Sequence, residues 1–280
     1  MKKVGIMLVV LLLMTLMAGC SGSSNEEVSV EDAATEESAV EKEPLNLVIA
    51  CAETTQALVD AVVPVMEEKG YQMTYQMFDN NVNTMVATND ESVDGLFLVH
   101  KPFMENFNKA NDADLVMLEP HVFAVGMGVF SERYESIEEL PEGASIAIMN
   151  DAMNMDRGLR IFSDAGYLKL AEDVERVTLL DIEENPKGLN FIEMDQTQTV
   201  RSLQDMDAVV AFFSHMKNAG KDFDNYMIRD QSPENYPQGV IVKEKNADAQ
   251  WAKDLVDAFR SEEIRAFADD YYGGLYEYID

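Results

Sequence analysis

Apolar and amphipathic stretches alternate along most of the chain. Residues 45–52 form an apolar run of the kind found in strands that are buried on both faces. Apolar positions from Ala57 to Met66 then recur at helical spacing until Gly70 ends the pattern. The same alternation predicts strands at 71–78, 95–99, 115–118, 122–130, 144–149, 191–194, 208–213 and 240–242, and helices at 83–89, 102–108, 154–165, 200–204 and 248–272. Strands that alternate with helices predict an α/β fold with mainly parallel sheets.

Two sets of these elements are separated by the long strand predicted at 122–130. We therefore expect two lobes, with residues 45–128 and 226–280 in lobe 1 and residues 129–225 in lobe 2. Ligands of such folds bind at the carboxyl ends of strands, next to helix N-termini. The pattern thus predicts a ligand cleft between the lobes.

The beginning of the chain has the pattern of an export signal. Two lysines precede an apolar segment at 8–17, as in a secretory signal peptide, and two small residues directly precede Cys20. This order is typical of a lipobox, in which the cysteine thiol takes a diacylglycerol. We predict a signal peptide at 1–19 and a lipidated Cys20; a plain signal peptide or an uncleaved anchor are the alternatives. Residues 20–44 are acidic and lack aromatic side chains, so we expect a disordered tether.

Charge and composition exclude several classes of function. The chain has 280 residues, and its 52 acidic and 21 basic side chains give a formal net charge of −31. So negative a surface repels phosphate backbones, so nucleic acid is not an expected partner. The two cysteines, Cys20 and Cys51, provide no disulfide framework. The sequence contains no phosphate-binding loop, nucleophile motif or metal-ligand spacing, and its three histidines lie far apart, so we expect no enzyme, cofactor or metal site.

One candidate binding segment lies at 150–157, where a strand is predicted to end and a helix to begin near Asn154. Asn and Asp side chains at this position can cap the helix. Arg157 then lies close to the free N–H groups of the first turn, and its guanidinium fork together with them makes a carboxylate receptor. The alternative is a simple helix cap, with Arg157 paired to Asp156 or Asp164.

A second candidate segment lies at 96–103. The predicted strand delivers His100 and Phe103 to its carboxyl end, where aromatic and imidazole groups can line an apolar pocket. The alternative is an ordinary core at a turn between strand and helix.

Together these segments resemble the NlpA/MetQ family of methionine-binding lipoproteins, the substrate-binding components of methionine ABC importers. The resemblance is carried by V-H-K-P-F-M at 99–104, N-D-A-M-N-M-D-R-G-L at 150–159, S-I-E-E-L-P-E-G-A-S-I-A-I at 136–148, the segment 184–191 and the segment 201–208, and it extends over about residues 45–274. It implies a two-lobed, type II periplasmic-binding-protein-like fold whose cleft closes on a small ligand.

The resemblance also implies roles for individual residues. Arg157 matches the arginine that takes the carboxylate of the amino acid, and Asn154 matches a neighbouring polar contact. His100, Phe103 and Leu98 match side chains that line the methionine pocket, although Phe103 replaces a tyrosine and Leu98 replaces a phenylalanine.

Two positions depart from the family pattern. Phe212 stands where the family has a ligand-binding asparagine, and Gln238 aligns with a later asparagine after a short insertion. Losing such acceptors should weaken binding by ~1–3 kcal/mol each unless other groups replace them. Ser214, His215 and Gln238 are the candidates for this replacement. A changed ligand follows as a hypothesis: another amino acid, a methionine-containing dipeptide or derivative, or an organic acid.

The sequence therefore predicts a monomeric extracytoplasmic solute-binding lipoprotein, anchored to the cell membrane through Cys20. Its partners would be a small ligand and an ABC permease. An enzyme on the same fold and a surface receptor are the alternatives. Ligand-dependent thermal stabilisation would favour the first reading, and turnover of the ligand would favour the second.

Overall fold

A computed structural model describes residues 44–279 of the chain; the predicted signal peptide, Cys20 and nearly all of the predicted tether lie outside these residues. The strands are β1 (Leu45–Cys51), β2 (Tyr71–Met77), β3 (Gly95–Leu96), β4 (Leu115–Met117), β5 (Phe123–Val125), β6 (Met127–Phe130), β7 (Ser145–Met149), β8 (Lys169–Leu170), β9 (Ile182–Glu184), β10 (Asn190–Met194), β11 (Ala208–Phe212), β12 (Ile228–Arg229), β13 (Pro237–Gln238), β14 (Ile241–Lys243) and β15 (Tyr276–Tyr278). The helices are α1 (Gln56–Glu68), α2 (Asn81–Asn89), α3 (Lys101–Asn111), α4 (Ala152–Asp164), α5 (Gln196–Arg201), α6 (Phe213–Asn218), α7 (Gln250–Arg260) and α8 (Glu262–Tyr272).

Two five-stranded sheets form the framework, in the orders β2-β1-β3-β14-β4 and β10-β7-β11-β6-β12. In each sheet one strand, β14 or β6, pairs antiparallel with both of its neighbours, while the other strands share one direction. The predicted α/β fold is confirmed, but the sheets are mixed. Both reversed strands directly follow a strand of the third sheet, which has the order β13-β5-β15. Each large sheet thus receives its antiparallel strand directly from the third sheet: β14 follows β13, and β6 follows β5.

The strand predicted at 122–130 is broken in two. Its first part, β5, belongs to the third sheet and its second part, β6, belongs to the second sheet, with Gly126 between them. A Cβ atom at this position would lie 2.6 Å from the ring of Phe213, closer than real Cβ contacts. Only glycine therefore fits where the chain passes from one sheet to the other.

Several helix boundaries also differ from the sequence prediction. The helical stretch predicted at 248–272 is divided at Ser261, whose extended backbone ends α7 and whose side chain accepts a hydrogen bond from Ile264 N at the start of α8. Helix α4 begins at Ala152, two residues before the predicted start, because Asp151 is its cap. Thr55 directly precedes α1, and its hydroxyl donates to the carbonyl of Phe97 instead of capping the helix.

The cores of the two large sheets are built from the buried runs that the sequence pattern marks. Strands β7 and β11 are buried almost throughout, and helices α4, α5 and α6 pack against them. Helices α1, α7 and α8 pack together; α1 packs on β2 of the first sheet, and α8 contacts β15 of the third. Within residues 44–279, no helix is both long enough and apolar enough to cross a membrane.

Candidate ligand-binding site

A cavity of about 30 Å³ lies where the carboxyl ends of strands from both large sheets meet. Its lining residues are Thr54, Thr55, Asn81, Leu98, Val99, His100, Phe103, Val125, Asn154, Gln196, Phe212, Ser214, His215, Gln238 and Tyr276. A volume of about 30 Å³ holds about two water molecules, so a ligand the size of an amino acid enters only if the walls move apart.

The structure brings eight of the nine predicted ligand-binding residues together in this one cavity. These are Leu98, His100, Phe103, Asn154, Phe212, Ser214, His215 and Gln238. The ninth, Arg157, does not line the cavity. The geometry thus gathers the predicted set, and the role of each residue in binding stays a prediction.

Arg157 lies directly behind the cavity wall. Its Nη2 donates to the carbonyl of Val125 at 2.8 Å, and its Cζ lies 5.5 Å from the centroid of the Phe212 ring; both partners line the cavity. The guanidinium also stacks on Tyr236, with Cζ 4.0 Å from the ring centroid. Arg157 is therefore adjacent to the site without opening directly into it.

The partner of Arg157 is Asp230, not Asp156 or Asp164 as the sequence alternative had it. Nε donates to Asp230 Oδ2 at 3.0 Å, and Nη2 donates to the same oxygen. Both side chains are buried, with 2% and 7% of their surfaces exposed. Burial lowers the pKa of Arg157 and the charge of Asp230 opposes that shift, so the arginine stays protonated. Nη1 forms no hydrogen bond with residues 44–279, so it is the nitrogen that can serve a ligand.

The position of Arg157 on α4 also corrects the prediction. Because the helix begins at Ala152, the arginine lies in the second turn and not beside the free N–H groups of the first. Asp151 occupies that end instead: its Oδ1 accepts from Asn154 N at 3.0 Å, as expected of a cap. Burial raises the pKa of this carboxyl, against the hydrogen bonds that stabilise its charge. The free N–H groups of the first turn therefore do not lie beside the guanidinium, and the carboxylate-binding role of Arg157 stays a prediction.

His100 has one defined tautomer. Its Nδ1 accepts a hydrogen bond from Phe103 N at 3.2 Å, so the ring proton lies on Nε2, which donates to Asn154 Oδ1 at 3.1 Å. Asn154 in turn donates from Nδ2 to Asp151 Oδ2 at 2.9 Å, which fixes the orientation of its amide. Burial, together with the charge of Arg157, lowers the pKa of His100 to about 3. A neutral imidazole thus connects α3 to α4 across the cavity.

The apolar part of the wall comes from the two predicted aromatic positions and from Leu98. Phe103 and Phe212 are almost fully buried, and their rings lie 6.0 and 6.4 Å from the His100 ring. Tyr236 lies 5.3 Å from the same ring, so it separates His100 from Arg157 on one side. This wall suits an unbranched apolar side chain of a ligand.

Polar groups occupy the other part of the wall. The Nδ1 atom of His215 is buried and has no hydrogen-bond partner among the described residues. Burial lowers the pKa of His215 to about 4, so its ring is neutral. Asn81 Nδ2 donates to Gln196 Oε1 at 3.4 Å, joining α2 to α5. Buried polar atoms without partners are rare in folded proteins, so His215 is a candidate contact for a ligand.

Sequence reasoning missed the lining residues Thr54, Thr55, Asn81 and Gln196. Each follows the carboxyl end of a parallel strand: β1 for the threonines, β2 for Asn81 and β10 for Gln196. The rule that ligands bind at these ends could have found them. Asp230 gave no such signal, because it lies 73 residues from its partner and outside any motif.

The fold and the site define a class: an α/β binding protein in which two mixed sheets direct their strand ends at one small cavity. The sequence profile of the NlpA lipoprotein family matches residues 47–278, and the chain belongs to that family. The predicted resemblance is thereby confirmed. The similar proteins named below are described as binding proteins.

Similar proteins include the methionine-binding lipoprotein MetQ of Bacillus subtilis, 27% identical over 98% of this chain and 97% of that protein. The D-methionine-binding lipoprotein MetQ of Escherichia coli K12 is 28% identical over 84% of this chain and 88% of its own. A nutrient binding protein from Burkholderia cenocepacia, solved bound to methionine, matches with a TM-score of 0.78 and 26% identity. That match covers 84% of this chain and all of the Burkholderia chain.

Proposed function

We propose that the protein is the extracytoplasmic solute-binding lipoprotein of an ABC importer and that it binds methionine or a closely related amino acid. The observation that carries the proposal is the cavity itself, which gathers the predicted apolar and polar residues beside a buried arginine. The similar proteins named for methionine binding support the same ligand class.

In this proposal the ligand side chain packs against Leu98, Phe103 and Phe212, all of which line the cavity. The ligand carboxylate accepts from Nη1 of Arg157, the guanidinium nitrogen that forms no hydrogen bond with residues 44–279. The ligand amine donates to the neutral acceptors on the polar side, where His215 Nδ1 is unpaired. His215 thereby replaces the asparagine whose position Phe212 occupies.

Binding requires the walls to separate, because a cavity of about 30 Å³ does not admit an amino acid. We propose that the two lobes open and close as units, near the predicted bounds of lobe 1 (45–128 and 226–280) and lobe 2 (129–225), but with β6 and β12 moving with lobe 2, because both pair within the second sheet. Hinge closure around a ligand is a common motion of such two-part proteins. The closed form is then the one that an ABC permease recognises, while Cys20, outside the described residues, would anchor the protein to the membrane.

A related ligand is the second candidate, favoured by a specific observation. The wall carries amide and hydroxyl groups at Asn81, Gln196 and Thr54 in addition to the predicted contacts. These uncharged groups suit an extra peptide unit, as in a methionine-containing dipeptide. Competition between L-methionine and such dipeptides would separate the two candidates.

Calorimetry with L-methionine tests the proposal. The wild type is expected to bind, and Arg157→Lys is expected to weaken binding by about tenfold or more, since lysine keeps the charge but loses the planar fork. Arg160→Lys, on the same helix but outside the cavity, serves as the matched control and should bind as the wild type does. Absence of methionine binding, or equal affinity in the Arg157→Lys variant, would overturn the proposal. Turnover of the ligand would favour an enzyme, and a failure of every small ligand would favour a surface receptor.

A further inference from the structure

The lining of the cavity carries no formal charge. Among the described residues that face it, none bears a carboxylate, an ammonium or a guanidinium group. Its two histidines are neutral near pH 7, because burial lowers the pKa of His100 to about 3 and that of His215 to about 4. Electrostatic selection of a ligand must therefore come from groups behind the wall.

Arg157 is the cation directly behind the wall, and Asp230 balances it. The carboxylate accepts from both Nε and Nη2 of Arg157 through Oδ2, while its Oδ1 accepts from the backbone N–H of Met127 at 3.2 Å. With 2% and 7% of their side chains exposed, the two groups interact with little screening by water. The pair as a whole contributes no net charge to the cavity.

The other charged side chains near Arg157 and Asp230 do not give the cavity a positive potential. Arg229 Nη2 lies 3.5 Å from Asp230 Oδ1, but it also contacts Glu277 Oε1 at 2.5 Å, so that second pair is neutral as well. On the opposite side, the carboxyl of Asp151 hydrogen-bonds Asn154, a lining residue, and when ionised it adds negative potential.

Building on the proposed function, we propose that Asp230 sets the charge selectivity of the cavity. By neutralising Arg157 it makes the cavity favour a ligand of zero net charge, such as a zwitterionic amino acid, over an anion that carries a carboxylate alone. An anion must share the guanidinium with Asp230 and leaves one buried negative charge without a partner, which is costly. A zwitterion supplies its own positive charge and leaves the site balanced. Asp230 is thus a positioning residue, since it acts on the ligand through Arg157.

Three ligands with one side chain test this inference by calorimetry: L-methionine, its 2-hydroxy acid analogue, which is an anion, and methioninol, which is a cation. The wild type should prefer methionine to the hydroxy acid by at least about tenfold. Asp230→Asn should shift the ratio of the two affinities toward the hydroxy acid by about tenfold, because it removes one buried charge. Asp230→Glu keeps the charge and should keep the wild-type preference.

Asp156→Asn is the matched control. This carboxylate is equally buried and also pairs with an arginine of α4, but its partner is Arg160, outside the cavity wall. The ratio of the affinities for methionine and the hydroxy acid should not change in this variant. A change as large as that in Asp230→Asn would mean that the loss of either buried carboxylate has the same effect, and it would overturn the inference.

The remaining outcomes are also decisive. A ratio of affinities within one variant does not depend on its folded fraction, so partial unfolding of Asp230→Asn does not hide the shift. Equal binding of methionine and the hydroxy acid by the wild type would overturn the inference and leave the proposed function intact. Failure of the wild type to bind any of the three ligands would overturn both.

Discussion

Helix α4 carries two arginine–carboxylate pairs with the same chemistry and different environments. Arg160 pairs with Asp156, four residues earlier on the same helix, and 42% of the arginine side chain is exposed. Arg157 pairs with Asp230 across 73 residues of sequence, and only 2% of it is exposed. The two pairs therefore differ in the burial of the arginine and in the separation of the partners along the chain, and this difference predicts different contributions to stability.

The two pairs are expected to differ first in how much each contributes to the free energy of unfolding. In the Arg160 pair only the arginine is exposed, and solvent-exposed pairs of i,i+4 type stabilise a helix by about 0.3–0.5 kcal/mol, because water screens them and both side chains lose freedom. Removing one partner of a buried pair costs about 3–5 kcal/mol, because the remaining charge is left without compensation in the interior. Arg157 also holds the carbonyl of Val125, so its loss leaves further buried groups unpaired.

The largest predicted effect is the loss of stability when the buried arginine is removed. Arg157→Ala should lower the free energy of unfolding by about 3–5 kcal/mol, whereas Arg160→Ala should lower it by less, because Arg160 is 42% exposed and Asp156 keeps its hydrogen bond from Val177 N. Urea denaturation of both variants measures the difference. Equal losses would show that the burial of the first pair does not matter energetically, and would remove the basis of the comparison.

A second effect arises because burial, together with the charge of Arg157, lowers the pKa of His100 in the folded protein to about 3. The unfolded chain has an ordinary histidine pKa near 6.5, so it binds a proton more readily than the folded state. Stability is therefore fully present above about pH 6.5 and is lost as the pH falls toward 3, by up to about 1.4 kcal/mol per pH unit. His215, with a folded pKa of about 4, contributes with the same sign.

Urea denaturation between pH 7 and pH 5 measures this slope. His100→Asn keeps a side chain that can cap α3, which His100 does through Nδ1, and it removes one titrating group. This variant should lose roughly a third to a half of the slope, because burial lowers the pKa of His215 and also that of His121, while Arg160→Ala should keep it. A wild-type slope in the His100→Asn variant would contradict the assignment of a buried neutral imidazole.

The same contrast explains what the sequence could and could not predict. The spacing of Asp156 and Arg160 is readable from the chain, because residues four apart lie on one helix face. The strand ends that carry His100 and Asn154 are also readable, since apolar runs mark the strands and the residues after them line the cavity. The pairing of Asp230 with Arg157 could not be predicted, because it depends on the path of the chain from β12 of the second sheet to β13 of the third.

Two details of local geometry could not be predicted from the apolar pattern: the change of sheet at Gly126 and the start of α4. Nothing in the apolar run at 122–130 indicates a change of sheet; the close approach of Phe213 to Gly126 is a tertiary fact. The early start of α4 at Ala152 moved Arg157 into the second turn and changed its surroundings. Such errors of one or two residues matter little for the fold, but they decide which groups a guanidinium meets.

The smallest predicted effect is the salt dependence of the two couplings, measured by double-mutant cycles for Arg157 with Asp230 and for Arg160 with Asp156. The coupling energy of Arg160 with Asp156 should be below about 1 kcal/mol and should fall further between 0.05 and 1 M NaCl, since the screening length shrinks from roughly 14 Å to about 3 Å. The buried pair should keep most of its coupling over the same range, because salt does not reach it. A coupling for Arg157 and Asp230 that decays with salt as the exposed one does would mean that water enters behind the cavity wall. In that case Asp230 could not keep an anion out of the site by charge, and selectivity would have to come from the shape of the apolar wall.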